Sequence, residues 1–290
     1  KMYPSNECAT CTQLPKMLEL TSNPNMTIIA FAELVGITGV PGNFTVKALK
    51  KPRFVDPVKC TACTDCFPVC PVGGIPMEFN LGRGTSKAIS FYSPSPPRKA
   101  LINPEKCSYI LTGKCGDDET PPCVKACQVN AVDFTQKPKE AAIEVGAIII
   151  ATGADEGKGD IVSRYGYGRL PNVLTSLEFE RLLSGLGPTS GIVRRDDKLE
   201  PKKVAWIVCD NASPVPLLSA SAEALGVKER DPEAEAFIFY EKDMPVKRSC
   251  DAFRKMVMDR GVKYIRIDSV EVKGSDNGNL ALSWSDSSGN

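Results

Sequence analysis

Cys60, Cys63, Cys66 and Cys70 follow one another at steps of three, three and four residues, and Pro71 closes the run. In this CxxCxxCxxxCP spacing the first three thiolates wrap one iron–sulfur cubane and the fourth reaches a second cluster. A second group, Cys107, Cys115, Cys123 and Cys127, ends in CxxxC. By the same crossed logic Cys127 completes the Cys60, Cys63, Cys66 set, and Cys70 completes the Cys107, Cys115, Cys123 set. The expectation is two [4Fe-4S] clusters. The second group is looser than the first: seven residues separate Cys107 from Cys115, seven more separate Cys115 from Cys123, and Gln128 stands where a proline is usual. Loops between ligands can absorb that.

Four thiolates also suit zinc, but zinc ribbons set two CxxC knuckles apart instead of placing three cysteines at consecutive steps. Disulfides are the weaker explanation of twelve cysteines, because a chain of 290 residues can stabilise itself by burial and ten of the twelve precede Gln128 in tight groups. The sequence contains no histidine, which removes the commonest general base, imidazole zinc sites and Rieske-type clusters together. Around the ligands Val58, Val69, Ile75, Ala126, Val129, Ala131 and Val132 offer small apolar groups that restrict water near a cluster. Cys8 and Cys11 form a further CxxC, readable as half of an additional metal site or as two unligated thiols. Cys209 and Cys250 stand alone and read as buried structural thiols.

Lys and Arg total 36 against 35 for Asp and Glu, so no global field recruits nucleic acid or an anionic membrane. The strongest apolar stretch, Val145 to Ala151, is far shorter than the roughly 20 residues of a membrane-spanning helix, and the start lacks a secretory pattern. The expectation is a soluble, cytoplasmic protein.

Thr27 to Phe31 reads as a short β run, and Glu33 to Leu49 as a hairpin turned at Val40-Pro41-Gly42-Asn43. The basic stretch Lys47 to Arg53 reads as a solvated edge. Beyond the cysteines, Ile143 to Ala151 is an apolar strand running into Thr152-Gly153, so the cysteine region looks inserted between two strands of one host domain. Val173 to Leu183 has helical spacing. From Val204 a βαβαβ pattern follows: strand Val204 to Cys209, helix Leu217 to Leu225, strand Ala236 to Tyr240, helix Val246 to Arg260 and strand Lys263 to Ile267. The turn after its first strand, Asp210-Asn211-Ala212-Ser213-Pro214, lacks the glycines that admit a pyrophosphate, which argues against a nicotinamide site. Asn277-Gly278 turns a final hairpin. The resulting division is a flavoprotein-like host over 1–52 and 140–198, an inserted two-cluster ferredoxin domain over 53–139, and a Rossmann-like α/β domain over 199–290.

Several motifs carry a family resemblance: Cys8-Ala9-Thr10-Cys11 with Leu14-Pro15-Lys16, Gly42-Asn43-Phe44, the CxxCxxCxxxCP run, Val145 through Gly153, and Pro171-Asn172-Val173 through Leu177-Glu178-Phe179-Glu180. On these the chain resembles the A subunit of heterodisulfide reductase and its relatives among quinone-interacting oxidoreductases. The resemblance implies an α/β fold, in which thioredoxin-reductase-like, Rossmann-type flavoprotein domains receive an inserted α+β bacterial-type 2[4Fe-4S] ferredoxin domain. It implies FAD near Ala151, Thr152 and Gly153, with Val145 and Gly146 helping to frame the site. It also implies iron–sulfur or flavin redox subunits as partners in a larger complex. The family's glycine-rich pyrophosphate loop would precede Lys1. The cluster motif that begins at the place of Cys209 in the family finds no further cysteine in Ser213 to Leu225. An electron-transfer subunit is the expected function; a flavin-free adaptor and an NAD(P)-dependent flavoprotein reductase are the alternatives.

Overall fold

The structure is a computed structural model that describes residues 6–91, 97–116, 119–153, 160–209, 214–241, 248–275 and 277–286. It is a mixed α/β fold with several sheets. The chain divides into two compact units, Gln13–Ala154 and the combination of Lys1–Thr12 with Asp155–Asn290. Helix α1 (Ala9–Ser22) comes first, with no buried side chain.

In the Gln13–Ala154 unit the first sheet is an antiparallel hairpin, β1 (Ala32–Val40) with β2 (Asn43–Lys50). Pro41-Gly42 makes its two-residue turn: proline presets φ at the first position, and Gly42 takes the φ of +91° at the second. The expected run Thr27 to Phe31 is not part of a strand, although the Lys51 N–H donates to the Phe31 carbonyl at 2.9 Å. Phe31 sits in the left-handed region at φ +56°, and β1 starts at Ala32. From the end of β2 the chain enters the cysteine region, where β3 (Ile75–Pro76) pairs with β4 (Thr85–Ser86) and β5 (Ile89–Ser90) with β6 (Leu101–Ile102). Two short helices follow, α2 (Ser108–Thr112) and α3 (Pro122–Lys125). An antiparallel bridge between Val55 and Val132 draws the two ends of this region together.

The chain then returns as β7 (Lys139–Val145), which pairs with β2 from Lys50↔Lys139 to Phe44↔Val145 in a sheet ordered β1-β2-β7. The apolar strand expected through Ala151 therefore stops at Val145. Its partner turns away at that level, where Gly42 N–H donates to the Gly146 carbonyl at 3.1 Å. Ile149 and Ile150 beyond it are 92% and 78% exposed. The core of the unit lies under the short strands, where Phe54, Val55, Ala88, Ile89, Ala100, Ile102 and Ala131 pack with five of the cysteines. Ile89 and Ile102 are each 1% exposed, and each burial contributes about 1.5–3 kcal/mol.

The other unit contains α4 (Asp160–Ser163) and α5 (Ser176–Leu183). Helix α5 opens on a capping box in which Thr175 accepts from the Glu178 N–H and Glu178 accepts from the Thr175 N–H. A parallel sheet follows, ordered β10-β9-β8, from β8 (Lys203–Val208), β9 (Glu235–Tyr240) and β10 (Val262–Arg266). Helices α6 (Val215–Arg230) and α7 (Arg248–Asp259) alternate with its strands. The βαβαβ order matches the reading of the sequence within a few residues; residues 210–213 and 242–247, which include most of the glycine-poor turn and the start of the second expected helix, lie outside the described residues. The hairpin β11 (Ser269–Gly274) with β12 (Leu280–Ser285) ends the fold. Phe179 of α5 packs edge-on against Trp206 of β8, ring centres 5.4 Å apart, and Leu183 joins the same core. These contacts pack α5 against the parallel sheet.

Candidate metal centres

The Cys60 to Cys70 segment cannot run as a helix or strand, because Ala62 and Thr64 both lie in the left-handed region, at φ +60° and +76°. Each costs roughly 1–2 kcal/mol relative to right-handed backbone. Such strain persists where neighbouring structure enforces it. Here the enforcing contacts are the Cys60 N–H on the Asp56 carbonyl at 2.9 Å, the Asp56 N–H on the Ala131 carbonyl at 2.7 Å, and the Phe67 N–H on the Thr64 carbonyl at 2.9 Å. The curl buries Cys60, Cys66 and Cys70 and leaves Cys63 exposed.

Two hollows result. Cys60, Cys63, Cys66 and Cys127 wall the first, together with Val55, Phe91, Ala100, Val129, Ala131 and Val132. Cys70, Cys107, Cys115 and Cys123 wall the second, together with Val72, Ala88, Ile89, Ile102, Tyr109 and Phe134. The structure thus brings together the eight cysteines in the crossed quartets. All twelve cysteines are free thiols. Among the described residues no three histidine, cysteine, aspartate or glutamate side chains converge to hold a single ion; the sulfurs surround a space instead.

Burial, reinforced by the neighbouring Cys63, Cys60 and Cys127, pushes the Cys66 thiol up to about 11. Burial with Cys107, Cys115, Cys70 and Cys66 pushes Cys123 up to about 12, and burial also raises Cys115. Four thiols in an apolar hollow resist becoming thiolates until a cationic group enters among them. That cation demand, the all-sulfur donor set and the enclosed space fit a thiolate-bound iron–sulfur cluster. Cys66 of the first hollow and Cys123 of the second belong to one buried cluster, so the two hollows are neighbours.

The apolar surroundings are partly as expected. Val129, Ala131 and Val132 line the first hollow, whereas Val58 is 89% exposed because it lies on the turn whose N–H groups bind Asp56. Two cations unsuspected from the sequence approach the cysteine backbone, and a third supports one of them. Lys99 Nζ donates to the Cys60 carbonyl at 2.5 Å. Lys87 Nζ donates to the Cys70 carbonyl at 2.9 Å. Arg53, placed on a solvated edge by the sequence reading, is half-buried, and its Nη2 donates to the Lys99 carbonyl at 3.2 Å.

The positions implied for a flavin are not gathered into either hollow. Val145 ends β7 and Gly146 follows it against the hairpin turn, while Ala151, Thr152 and Gly153 are exposed backbone. These five residues do not by themselves enclose a ring system. Cys8 and Cys11 lie side by side at the start of α1, where the Thr12 N–H donates to the Cys8 carbonyl at 3.3 Å. Burial pulls the Cys8 thiol upward, but the N–H groups of Cys11 and Thr10 bring it below the ordinary value. Hydrogen bonding to Cys8 raises Cys11. Cys250 is buried and Cys209 half-buried.

Among the described residues, no helix is long and apolar enough to cross a membrane. No family model matches the chain. Among curated proteins, it is 35% identical over 278 residues to the iron-sulfur A subunit of the CoB–CoM heterodisulfide reductase of Methanocaldococcus jannaschii, covering 92% of this chain and 41% of the relative. It is 38% identical over 278 residues, with the same two coverages, to the A subunit of the H2/formate:CoB-CoM heterodisulfide,ferredoxin reductase of Methanococcus maripaludis. It is 34% identical over 287 residues, 94% of this chain and 42% of the relative, to the A subunit of the H2:CoB-CoM heterodisulfide,ferredoxin reductase of Methanothermobacter marburgensis. The chain therefore spans about two fifths of the length of these relatives. Over nearly its whole length, at identities of this size, the chain is similar to heterodisulfide reductase A subunits.

Proposed function

We propose that this chain is an electron-transfer segment of a heterodisulfide-reductase-like complex, holding two [4Fe-4S] clusters in a ferredoxin-type domain at 53–139. Cys60, Cys63, Cys66 and Cys127 hold one; Cys107, Cys115, Cys123 and Cys70 hold the other. The observation that carries this reading is the pair of neighbouring hollows, each walled by four cysteines drawn from both groups. When bound, such clusters supply one-electron chemistry at potentials set by their surroundings. The chain's own residues supply the thiolates, exclude water with Ala88, Ile89, Ile102 and Ala131, and hold the two sites side by side. In this reading 1–52 and 140–198 form part of a flavoprotein host, 199–290 is Rossmann-like, and FAD is approached through Val145, Gly146 and Ala151 to Gly153. The partners are other iron–sulfur or flavin subunits, and the compartment is the cytoplasm.

The exposed placement of Ala151 to Gly153 favours a second reading, an iron–sulfur relay that bridges partners without binding flavin itself. Iron, sulfide and flavin analysis of anaerobically purified protein, with electron paramagnetic resonance after dithionite reduction, tests both. About eight irons with interacting reduced-cluster signals support the two-cluster assignment, and stoichiometric FAD supports the flavin-linked form. Eight irons without flavin leave the relay. Zinc in place of iron sinks the electron-transfer reading.

A further inference from the structure

The two hollows differ in the charge and polarity around them. On the Cys60 side of the first, Lys99 Nζ holds the Cys60 carbonyl at 2.5 Å and Arg53 Nη2 holds the Lys99 carbonyl at 3.2 Å. The Arg53 guanidinium lies 5.6 Å from the centre of the Phe31 ring, and its Nε is buried without a hydrogen-bond partner. Neither cation belongs to an ion pair among the described residues. A half-buried guanidinium without a carboxylate is costly unless another negative charge compensates it. Burial lowers the pKa of the Arg53 guanidinium, and a negative charge on the Cys60 side of the hollow opposes that lowering. A cluster ligated by four thiolates carries net negative charge and gains one more on reduction, so nearby cations favour its reduced state.

Two other features act in the same direction. The Ala131 N–H donates to the Cys127 sulfur at 3.2 Å, and hydrogen bonds to ligand sulfur stabilise the more negative state. Cys63 is exposed and Cys127 half-buried, whereas Cys70, Cys107, Cys115 and Cys123 are all buried, so water also reaches the first site more readily. At the second hollow the half-buried Lys87 Nζ donates to the Cys70 carbonyl, and that ammonium also donates to the Pro68 carbonyl at 2.6 Å.

We infer that Arg53 and Lys99 are positioning residues that set the reduction potential of the centre held by Cys60, Cys63, Cys66 and Cys127 above that of its neighbour. An electron entering the pair then comes to rest in the first hollow. This inference rests on the two-cluster reading above.

The test is a reductive titration of the cluster-loaded protein followed by electron paramagnetic resonance, comparing wild type with Lys99→Gln, Arg53→Gln and Lys87→Gln. Two midpoints are expected. Lys99→Gln keeps a hydrogen-bond donor and loses the charge. It and Arg53→Gln each lower the upper midpoint by about 59 mV or more, a tenfold change in a one-electron equilibrium, and so narrow the gap. Lys87→Gln lowers the other midpoint and widens it. Lys99→Arg, which restores the charge, returns the upper midpoint toward wild type. Should Lys99→Gln lose iron, Arg53→Gln reads the same shift, because it leaves the Lys99 contact with Cys60 in place. Protein with eight irons whose midpoints do not move, or whose lower midpoint moves in Lys99→Gln, overturns the inference and spares the two-cluster reading. Protein without iron defeats that reading itself.

Discussion

Trp206 Nε1 donates a 2.8 Å hydrogen bond to Glu223 Oε2 in the interior of the parallel-sheet unit. Ser176 Oγ donates to the other carboxyl oxygen, and Glu223 is only 1% exposed. Burial pushes its pKa up to about 7, against the downward pull of Ser176 and Trp206, with Glu180 adding to the rise. The folded value thus lies above the unfolded one of roughly 4.3, so the folded state binds this proton more tightly. Its contribution to stability is full below about pH 4 and is lost progressively as the pH rises through 7. Urea denaturation at several pH values should show stability falling over that window by an amount on the order of a few kcal/mol. Glu223→Gln, which keeps a hydrogen-bonding amide, should flatten the slope. An unchanged slope in Glu223→Gln assigns the titration to another group.

Ile238 is completely buried in the central strand β9 and belongs to the core formed with Leu183, Val257 and Trp206. Strands on both sides of β9 limit how far the site can collapse. Ile238→Ala should therefore cost about 2–5 kcal/mol, seen as a lower denaturant midpoint. A loss under about 1 kcal/mol would mean that the core refills easily.

The legible parts of the fold were those written in local patterns. Pro41-Gly42 between alternating strands specified the hairpin, and the spacing of apolar runs after Val204 specified the parallel sheet. The spacing of the cysteines pointed to two groups, and each hollow is lined by members of both. What local pattern could not carry was tertiary. Ile143 to Ala151 is one apolar run, yet the ladder ends at Val145 because β2 turns away there. Arg53 closes a run in which Lys47, Lys50 and Lys51 are exposed, and nothing in that run distinguishes the one side chain that turns inward. Helix α5 packs against the parallel sheet through Phe179 and Leu183, contacts that sequence order does not announce.

The left-handed residues of the ligand loop give a stability prediction opposite in sign to the core substitution. Glycine occupies positive φ without the clash between Cβ and the carbonyl. Ala62→Gly and Thr64→Gly should each raise the stability of the cluster-loaded protein by about 1 kcal/mol, with no loss of iron. Thr61→Gly, at a position outside the positive-φ set, should lower it. Thermal unfolding of the three variants decides the matter, and destabilisation by all three would show that the loop does not hold the strained conformation.

The crossing of ligands yields the sharpest test of the site. Cys70 follows Cys66 by four residues, and adjacency alone would assign it to the same centre. In the structure it instead faces Cys107, Cys115 and Cys123 across the second hollow, while Cys127 closes the first. Cys70→Ala should therefore mimic Cys123→Ala: both should reduce iron from about eight to about four per chain, leaving the same residual reduced-cluster signal. Cys127→Ala should instead mimic Cys63→Ala, with the other signal surviving. If Cys70→Ala and Cys63→Ala share one residual spectrum, the ligands are not crossed, because spectral identity follows the centre that remains and not the place of the substitution in the sequence.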